Sequence, residues 1–446
     1  MIGHNYLKGQ QNYNTMVLSE FMKKNILIIG SGGREHAIAL ALSKSENLGS
    51  LYIAPGNPGT ATLGRNVDIS ETDLRGLLHF AKENQVDLTI VGPEGPLVEG
   101  IVDLFENEGL GIVGPSKAAA QLEGSKKWAK ALMKKYDIPT AYFETFSNYE
   151  DALAYIAKRN TYPIVIKADG LAAGKGVTVA ATFEDAKAAL AQCLLDNHFK
   201  DAGLNVVIED FLIGQEASVL AFCDGETVLA MIPAQDHKQI FDGDKGPNTG
   251  GMGTYAPAPI ADASVQKKIV DRILNPLVKG LSAEGVPFKG VVFAGVMIHD
   301  GEPSVVEFNA RFGDPETQVV LALLKTDLVK IFQAIVDKTL SSVRLEWEDK
   351  AAVCVVLASE GYPGDYPKGR VITLPVTSPS DVAFIHAGTK INEKGELVTN
   401  GGRVMGVVGI GEGLMPAIQK TYEGVTMITF EGRYYRSDIA KKALVH

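Results

Sequence analysis

The sequence predicts a multidomain protein that is α/β at its start and α+β after that, with a doubly wound parallel sheet first and a small, mainly β domain last. Three observations carry this. The chain has 446 residues, beyond the size at which a single core keeps growing, so two to four domains are expected. Across residues 23–124, short apolar runs alternate with helical segments. After residue 125, apolar runs follow one another with turns between them, the pattern of antiparallel strands.

Element by element, "NILIIG" is a short buried strand that enters "SGGREHAIALALSKS", a glycine turn followed by helical periodicity. "GSLYIAPG", "VDLTIVGPEG" and "GLGIVGPS" repeat the theme, with a helix before the second of them. Strands alternating with helices imply a parallel sheet covered on both faces, with its ligand edge at the strand carboxyl ends. The next block opens with a helix, "SKKWAKALMKKYDIP", capped by Ser125 and stopped before Pro139. "YPIVIKADGLAAGKGVTVA", a helix at "FEDAKAALAQCLL", and "LNVVIEDFLIGQEASVLAFCDGETVLA" read as antiparallel strands with one helix. A long glycine-rich loop, "QDHKQIFDGDKGPNTGGMGTYAP", is followed by a helix over residues 263–284 and the hairpin "VVFAGVMIHDGEPSVVEFNARFG". From residue 339 on, "AAVCVVLAS", "AFIHAGTK" and "GRVMGVVGIG" give a compact β domain with one or two helices. The expected divisions are therefore a disordered extension (1–22), an N-terminal α/β substrate-binding domain (23–124), a central domain (125–338) with a mobile lid at about 140–212, and the β domain (339–446).

Bulk properties exclude several classes. A hydrophobic content of 46% with 22% charged residues is that of a globular chain. The net charge of −10 speaks against nucleic acid or an anionic membrane as partner, so an anionic ligand needs local lysines, arginines or backbone amides. Cys193, Cys223 and Cys354 lie far apart, which fits a reducing, cytoplasmic setting and provides neither a disulfide framework nor a cysteine zinc site. No apolar run approaches the ~18 residues that span a bilayer. The expected state is a monomer, although no residue pattern derives it.

Four stretches carry chemistry. In "GSGGREHA", Gly30 and Gly32 fit the first two glycines of a dinucleotide fingerprint, but Glu35 stands at the third. The following strand ends in "APGNPGT", with no acid for a ribose, which disfavours NAD. Glycine turns ahead of a helix still favour an anion. A phosphorylated small molecule at Gly30, Gly32 and Gly33, with Asn57, Gly59 and Thr60 as a second wall, is the better reading. In "VIKADGLAAGKG", Lys167 ends a strand and a glycine loop bearing Gly174, Lys175 and Gly176 follows; its amides could fold over phosphates, with a lysine at the base. "VVIEDFLIGQEASV" leads a strand into a short connector, an edge suited to an adenine ring. In "VVEFNARFGDPE", alternation puts Glu307 and Asn309 on one face, Phe308 on the other and Arg311 close behind. Such oxygen-rich, mixed-charge ends suit a hard cation and a phosphate, or equally a salt-bridged surface turn.

Taken in order, these pieces resemble the ATP-grasp superfamily. "GSGGREHA", "GNPGT", "VGPEGPL", "GPSKAAAQLEGSK", "IKADGLAAGKGV", "FDGDKGPNTGGMGTYAP" and "EFNARFGDPETQ" together resemble the phosphoribosylamine–glycine ligases, also called glycinamide ribonucleotide synthetases. The resemblance covers residue 23 to the C-terminus. It implies that ATP, with Mg2+ or Mn2+, activates glycine as glycyl phosphate, which 5-phosphoribosylamine then attacks. It further implies that Lys126 and Lys167 hold the nucleotide phosphates under the Gly170–Gly176 loop. Glu209, Phe211 and Leu212 would line the adenine, and Glu216 the ribose. Glu307 and Asn309 would ligate the metal, Arg311 would act with Lys167 on the transferring phosphoryl group, and the loop from His237 to Gly253 would cover the glycine. Asp314 and Glu316 would orient Arg311 or meet the glycine ammonium, or simply cap a turn. One departure shows: the strand "FAGVMIH" lacks the further metal carboxylate that many ATP-grasp enzymes carry there. The rival readings are a different ATP-grasp carboxylate ligase and a nucleotide-binding module without catalysis.

Overall fold

The computed structural model describes residues 23–171, 176–196 and 200–444; the expected extension 1–22 and the loop residues Gly174 and Lys175 lie outside the described residues. Strand β1 (Lys24–Gly30) is buried from Ile26 onward because neighbours cover both its faces. Ile26 and Ile28 pack into one core cluster, Leu27 and Ile29 into another, as alternation requires. With β2 (Leu48–Pro55), β3 (Arg65–Asn66), β4 (Leu88–Val91) and β5 (Gly111–Val113), it forms a sheet of order β3-β2-β1-β4-β5. All the pairings are parallel. Strand order reverses beside β1, so the "GSGGREHA" turn at its carboxyl end opens onto the crevice where such sheets bind ligands.

The lid is a second sheet. Strands β6 (Phe143–Phe146), β7 (Ile164–Ala168), β8 (Val177–Ala180) and β9 (Val206–Asp210) pair in the order β6-β9-β7-β8, all antiparallel. Two helices cover it where the sequence suggested one. The additional helix, Tyr149–Arg159, is capped by the Asn148 side chain, which accepts the Asp151 N–H, and ends at Asn160 in a left-handed conformation. Its buried stripe is only Ala152 and Ile156, too sparse to stand out as a helical period. Strand β9 also differs from expectation. It is not an edge, because β6 and β7 flank it, and the next strand, β10 (Gln215–Asp224), belongs to another sheet.

That third sheet has the order β11-β10-β16-β17, where β11 is Val228–Ala230, β16 Lys289–His299 and β17 Glu302–Asn309. Asp300 (φ +50°) and Gly301 (φ +73°) turn β16 into β17, the two positive angles a tight hairpin demands. The stretch read as a long glycine-rich loop contains four short strands: β12 (Gln235–Asp236), β13 (Gln239–Phe241), β14 (Lys245–Asn248) and β15 (Gly253–Ala256). Strands β13 and β14 pair as a hairpin, while β15 pairs with β18 (Ala351–Ser359). The central segment thus joins the C-terminal sheet, whose partners are β19 (Val382–His386), β22 (Arg403–Gly411) and β23 (Arg433–Tyr434). Strands β20 (Thr389–Ile391) and β21 (Leu397–Thr399) form a separate hairpin, and the helix Leu414–Thr426 packs on β18 and β22. The helix read over 263–284 is continuous but carries a π-helical turn at Val270–Leu274, just before Pro276, which has no N–H to give a regular ladder.

Candidate active site

Alternation aims the charged groups. On β7, Ile164, Ile166 and Ala168 face the lid core, so Lys167 points the other way. On β9, Val206 and Ile208 join the same core, which sends Glu209 to the face of Lys167. Glu209, 2% exposed, holds two lysines. Lys130 lies 2.9 Å from Oε2 and Lys167 3.1 Å from Oε1. Lys167 also donates to the Val306 carbonyl (3.0 Å), tying the lid to β17. Burial pulls Lys130 down to about 8 despite the opposing pull of Glu209. Lys126 opens the helix capped by Ser125 and donates to the Gly170 carbonyl (3.0 Å); burial lowers its pKa too. Gly176 closes the base of the loop, its carbonyl accepting the Ala168 N–H at 2.8 Å.

A β-bulge sets the phase of β17. Gly295 pairs with Glu307 while Val296 pairs with Val305, leaving Val306 extra. Val305 and Phe308 can then both enter one core cluster, while Glu307 and Asn309 turn to the opposite, cavity-facing side. Gly295 leaves room for a second carboxylate: a Cβ there would lie 3.5 Å from Glu307 and 3.6 Å from Glu216 Oε1. Glu216, expected at a ribose, holds Lys238 at 2.5 Å, and Lys238 lies 3.8 Å from Glu307. Burial alone would favour protonated Glu307, but Lys238, Lys167, Lys126 and Arg311 together hold its pKa below the usual value. A carboxylate and an amide facing one cavity, Glu307 and Asn309, suit a hard cation that takes its remaining oxygens from nucleotide and water. Among the described residues no group of three or more His, Cys, Asp or Glu could hold a metal alone.

Arg311 sits between two acids, 3.1 Å from Glu94 and 3.0 Å from Glu123. Burial works against its charge, but both acids keep its pKa raised. Arg403 reaches in from β22 to Asp314 (3.1 Å) and donates to the Gly250 carbonyl (2.6 Å). Glu316 accepts from Ser218 (2.9 Å), and burial raises its pKa. Burial, then the charge of Glu316, raises that of Asp236 well above the usual carboxylate range. Gly251 (φ +108°) must be glycine, since a Cβ would lie 2.8 Å from Asp236 Oδ1 and 2.4 Å from Pro315. Together with the apolar Leu122, Ala129, Met133, Phe293 and Phe308, these groups line a cavity of about 500 Å³ between the lid, the β10–β17 sheet and the C-terminal sheet.

At the N-terminal turn the structure commits many polar groups internally. Glu35 accepts the Gly32 N–H (2.6 Å) and Arg34 Nε (2.6 Å). Its side chain fills the space that the missing side chains of Gly30 and Gly92 leave. Asn57 accepts the N–H groups of Gly59 and Thr60 and donates to the His386 carbonyl (3.1 Å), so "GNPGT" is a self-bonded turn pinned to β19. A Cβ on Gly32 would sit 3.7 Å from Asp314, so this turn borders the cavity.

The structure therefore brings Lys126, Lys167, Gly176, Glu209, Glu307, Asn309, Arg311 and Asp314 to one cavity. Phe211 is exposed and, with Leu212, lies on the connector after β9, outside that lining. Sequence reasoning passed over Lys130, Lys238, Arg403, Asp236, Glu94 and Glu123. Glu94 and Glu123 lie inside motifs quoted for the resemblance; Arg403 comes from a β-domain strand with no local signal.

A four-stranded antiparallel sheet tied by Lys167 to a second sheet whose last strand ends in Glu–x–Asn–x–Arg is the arrangement of an ATP-grasp enzyme. Family models for phosphoribosylglycinamide synthetase match its N domain at residues 24–123, its ATP-grasp (A) domain at 124–317 and its C domain at 352–442. The chain belongs to the phosphoribosylglycinamide synthetase family. It is 49% identical to the phosphoribosylamine–glycine ligase of Caldanaerobacter subterraneus subsp. tengcongensis, over 93% of this chain and 99% of that one. The Yersinia pestis enzyme of the same name is also 49% identical, over 94% and 99%. The crystal structure of the Thermotoga maritima phosphoribosylamine–glycine ligase superposes with a TM-score of 0.83 at 36% identity, covering 93% of this chain and 100% of that one. A biotin carboxylase from Campylobacter jejuni shares the fold at 17% identity and a TM-score of 0.70, over 92% and 93%.

Proposed function

We propose that this cavity joins glycine to 5-phosphoribosylamine through glycyl phosphate, giving glycinamide ribonucleotide, ADP and phosphate, a step of de novo purine biosynthesis. The observation that supports it best is the meeting of Lys126, Lys167, Glu307, Asn309 and Arg311 at one cavity bordered by the Gly32 turn. A carboxylate is a poor acyl donor, so its oxygen first takes the γ-phosphoryl group and ADP departs. The amine nitrogen then attacks the acyl carbon, the carbon–oxygen bond to phosphate breaks, and the amine gives up one proton.

Phosphoryl transfer is mostly positioning and charge neutralisation. Lys126 and Lys167 hold the nucleotide phosphates. Arg311 and Lys238 face the group in transfer, kept in place by Glu94, Glu123 and Glu216. Glu307 and Asn309 would hold magnesium or manganese, which would supply neutralisation of the phosphate charge. Gly30, Gly32, Gly33, Asn57, Gly59 and Thr60 form the wall for the phosphoribosyl group, and Asp314, beside Gly32, meets the glycine ammonium. No helix among the described residues is long and apolar enough to cross a membrane. The three free, buried cysteines support a reducing, cytoplasmic setting.

The test is ADP release with glycine and freshly made phosphoribosylamine, each omitted in turn, using glycine labelled with heavy oxygen in its carboxylate. The expected result is glycine-dependent release with one labelled oxygen in the phosphate. Release that ignores glycine, or label confined to the amide product, overturns the scheme.

A further inference from the structure

The side chain of Lys238 reaches the cavity between Glu216 and Glu307, from the two-residue link between β12 and the small hairpin β13–β14. Its own carbonyl accepts the Thr249 N–H (2.7 Å) and hydroxyl (2.8 Å), and a second set of bonds to its neighbours comes from the far end of the chain. Arg436 is 1% exposed, the largest fully buried side chain among the described residues. Its Nε and Nη2 each lie 2.8 Å from the Asp438 carboxylate. Its Nη1 donates to Asp244 Oδ1 (2.8 Å) and to the Gln239 carbonyl (3.0 Å). Ala440 donates its N–H to His237 Nε2 (3.3 Å), and Lys442 donates to the Asp236 carbonyl (3.2 Å). Asp438 also accepts the Gly243 N–H (2.8 Å), and Ser437 gives its N–H to Asp242 (2.9 Å). Residues 236, 237 and 239, which surround Lys238, are thus each held by residues 436–442, while the side chains of Asp236 and Lys238 line the site.

We propose that Arg436, with the segment 436–442 it anchors, is a positioning element for Lys238, so that the last turn of the chain sets the geometry of phosphoryl transfer. The C-terminal domain then acts in the reaction through one backbone segment as well as through Arg403. A buried arginine bonded to two aspartates and a carbonyl is a rigid reference point, because each of its donors is fixed in a planar fork. A misplacement of about 1 Å at a reacting charge costs on the order of 10²-fold in rate. The inference rests on the ligase reading of the cavity only through Lys238.

A double-mutant cycle tests it, with Arg436→Gln and Lys238→Met made singly and together in the full chain. The wild type, run in parallel with and without glycine, checks the ligase reading separately. Arg436→Gln should lower kcat by on the order of 10²-fold, with KM for ATP and for phosphoribosylamine within about threefold. Arg436→Lys should restore part of the loss. The combined variant should be no slower than Lys238→Met alone, since both act on one group. Lys442→Met, which removes one hydrogen bond from a half-buried side chain, repeats the test should Arg436→Gln fail to fold: a smaller loss is expected, absent in the Lys238→Met background. Losses that multiply in the combined variants overturn the proposal, as does full turnover in Lys238→Met.

Discussion

Glu209→Gln separates two roles for one buried carboxylate: a wall of the adenine slot, as the resemblance implies, or the anchor of two lysines, as the geometry shows. The substitution keeps size and removes charge. Lys130 at 2.9 Å and Lys167 at 3.1 Å, both almost fully enclosed, would then face a neutral amide. Breaking a buried ion pair from one side costs about 3–5 kcal/mol. The lower end applies here, because Lys130 can escape. Its pKa is already about 8 with Glu209 present, so discharging it at pH 7 costs only about 1.4 kcal/mol, and without the carboxylate it would shed its proton. The expected loss is therefore about 3 kcal/mol at pH 7 by equilibrium urea unfolding. It should also depend on pH. The folded pKa of Lys130 lies below the ordinary 10.5, so between those values the unfolded chain binds the extra proton, and wild-type stability rises with pH there. The gap between wild type and variant should narrow as pH rises towards 8, where the wild type gives up the proton the variant already lacks, and level off above it. A variant as stable as wild type at pH 7, with altered preference between ATP and GTP, would assign Glu209 to the base and refute the anchor.

Two further predictions follow from the same geometry. Glu307→Gln should reduce turnover by orders of magnitude, since several kcal/mol of transition-state stabilisation depend on the metal. Its stability without nucleotide should change little and added magnesium should recover part of the rate; near-normal turnover would move the metal elsewhere. The second concerns His36, whose Nδ1 accepts the His386 N–H at 2.8 Å, a bond only the neutral ring can make; burial lowers its pKa to about 3. Below pH 6.5 the unfolded chain takes up a proton that the folded state refuses until about pH 3, so His36 contributes a loss of stability of up to about 1.4 kcal/mol per pH unit as pH falls. His36→Gln should flatten that slope in urea titrations between pH 6.5 and 4, and an unchanged slope would rule out His36 as its source.

What could be read from the sequence depended on how far each signal reaches. The parallel sheet was legible because each apolar run of β1, β2, β4 and β5 ends in a glycine or proline turn a few residues away. The hairpin β16–β17, and with it the face shared by Glu307 and Asn309, followed from period-two alternation around "HDGE". The bulge at Val306 did not. It shows only in the pairing register, and without it Val305 would share a face with Glu307. Strands β12 to β15 read as loop because they are two to four residues long and broken by Gly and Pro, and because the partner of β15 is the distant β18. Glu209 was legible as a site residue, but its two lysines come from the helix Lys126–Lys135 and from β7, a meeting no local pattern records.

The cavity explains how a chain with a net charge of −10 binds anionic ligands. Its cations come from separate elements: Lys126 and Lys130 from one helix, Lys167 from the lid, Lys238 from the segment between β12 and β13, Arg311 from the end of β17 and Arg403 from β22. Left bare, they would repel one another at close range, and the repulsion would grow as water left. Carboxylates limit this by holding all of them but Lys126, which donates to the Gly170 carbonyl: Glu209 two lysines, Glu216 a third, Glu94 and Glu123 the Arg311 guanidinium, Asp314 that of Arg403. These acids aim the cations they hold before any phosphate arrives, so little reorganisation remains for the moment of transfer. The same arrangement makes exchange possible. An incoming phosphate at Lys167 adds to the Glu209 contact instead of replacing it, because an ammonium has three donors and Glu209 and Val306 take two. Lys238 is in a similar position, with one donor committed to Glu216 at 2.5 Å and a looser approach to Glu307 at 3.8 Å. Lys238 therefore keeps donors for an incoming phosphate while Glu216 holds it in place.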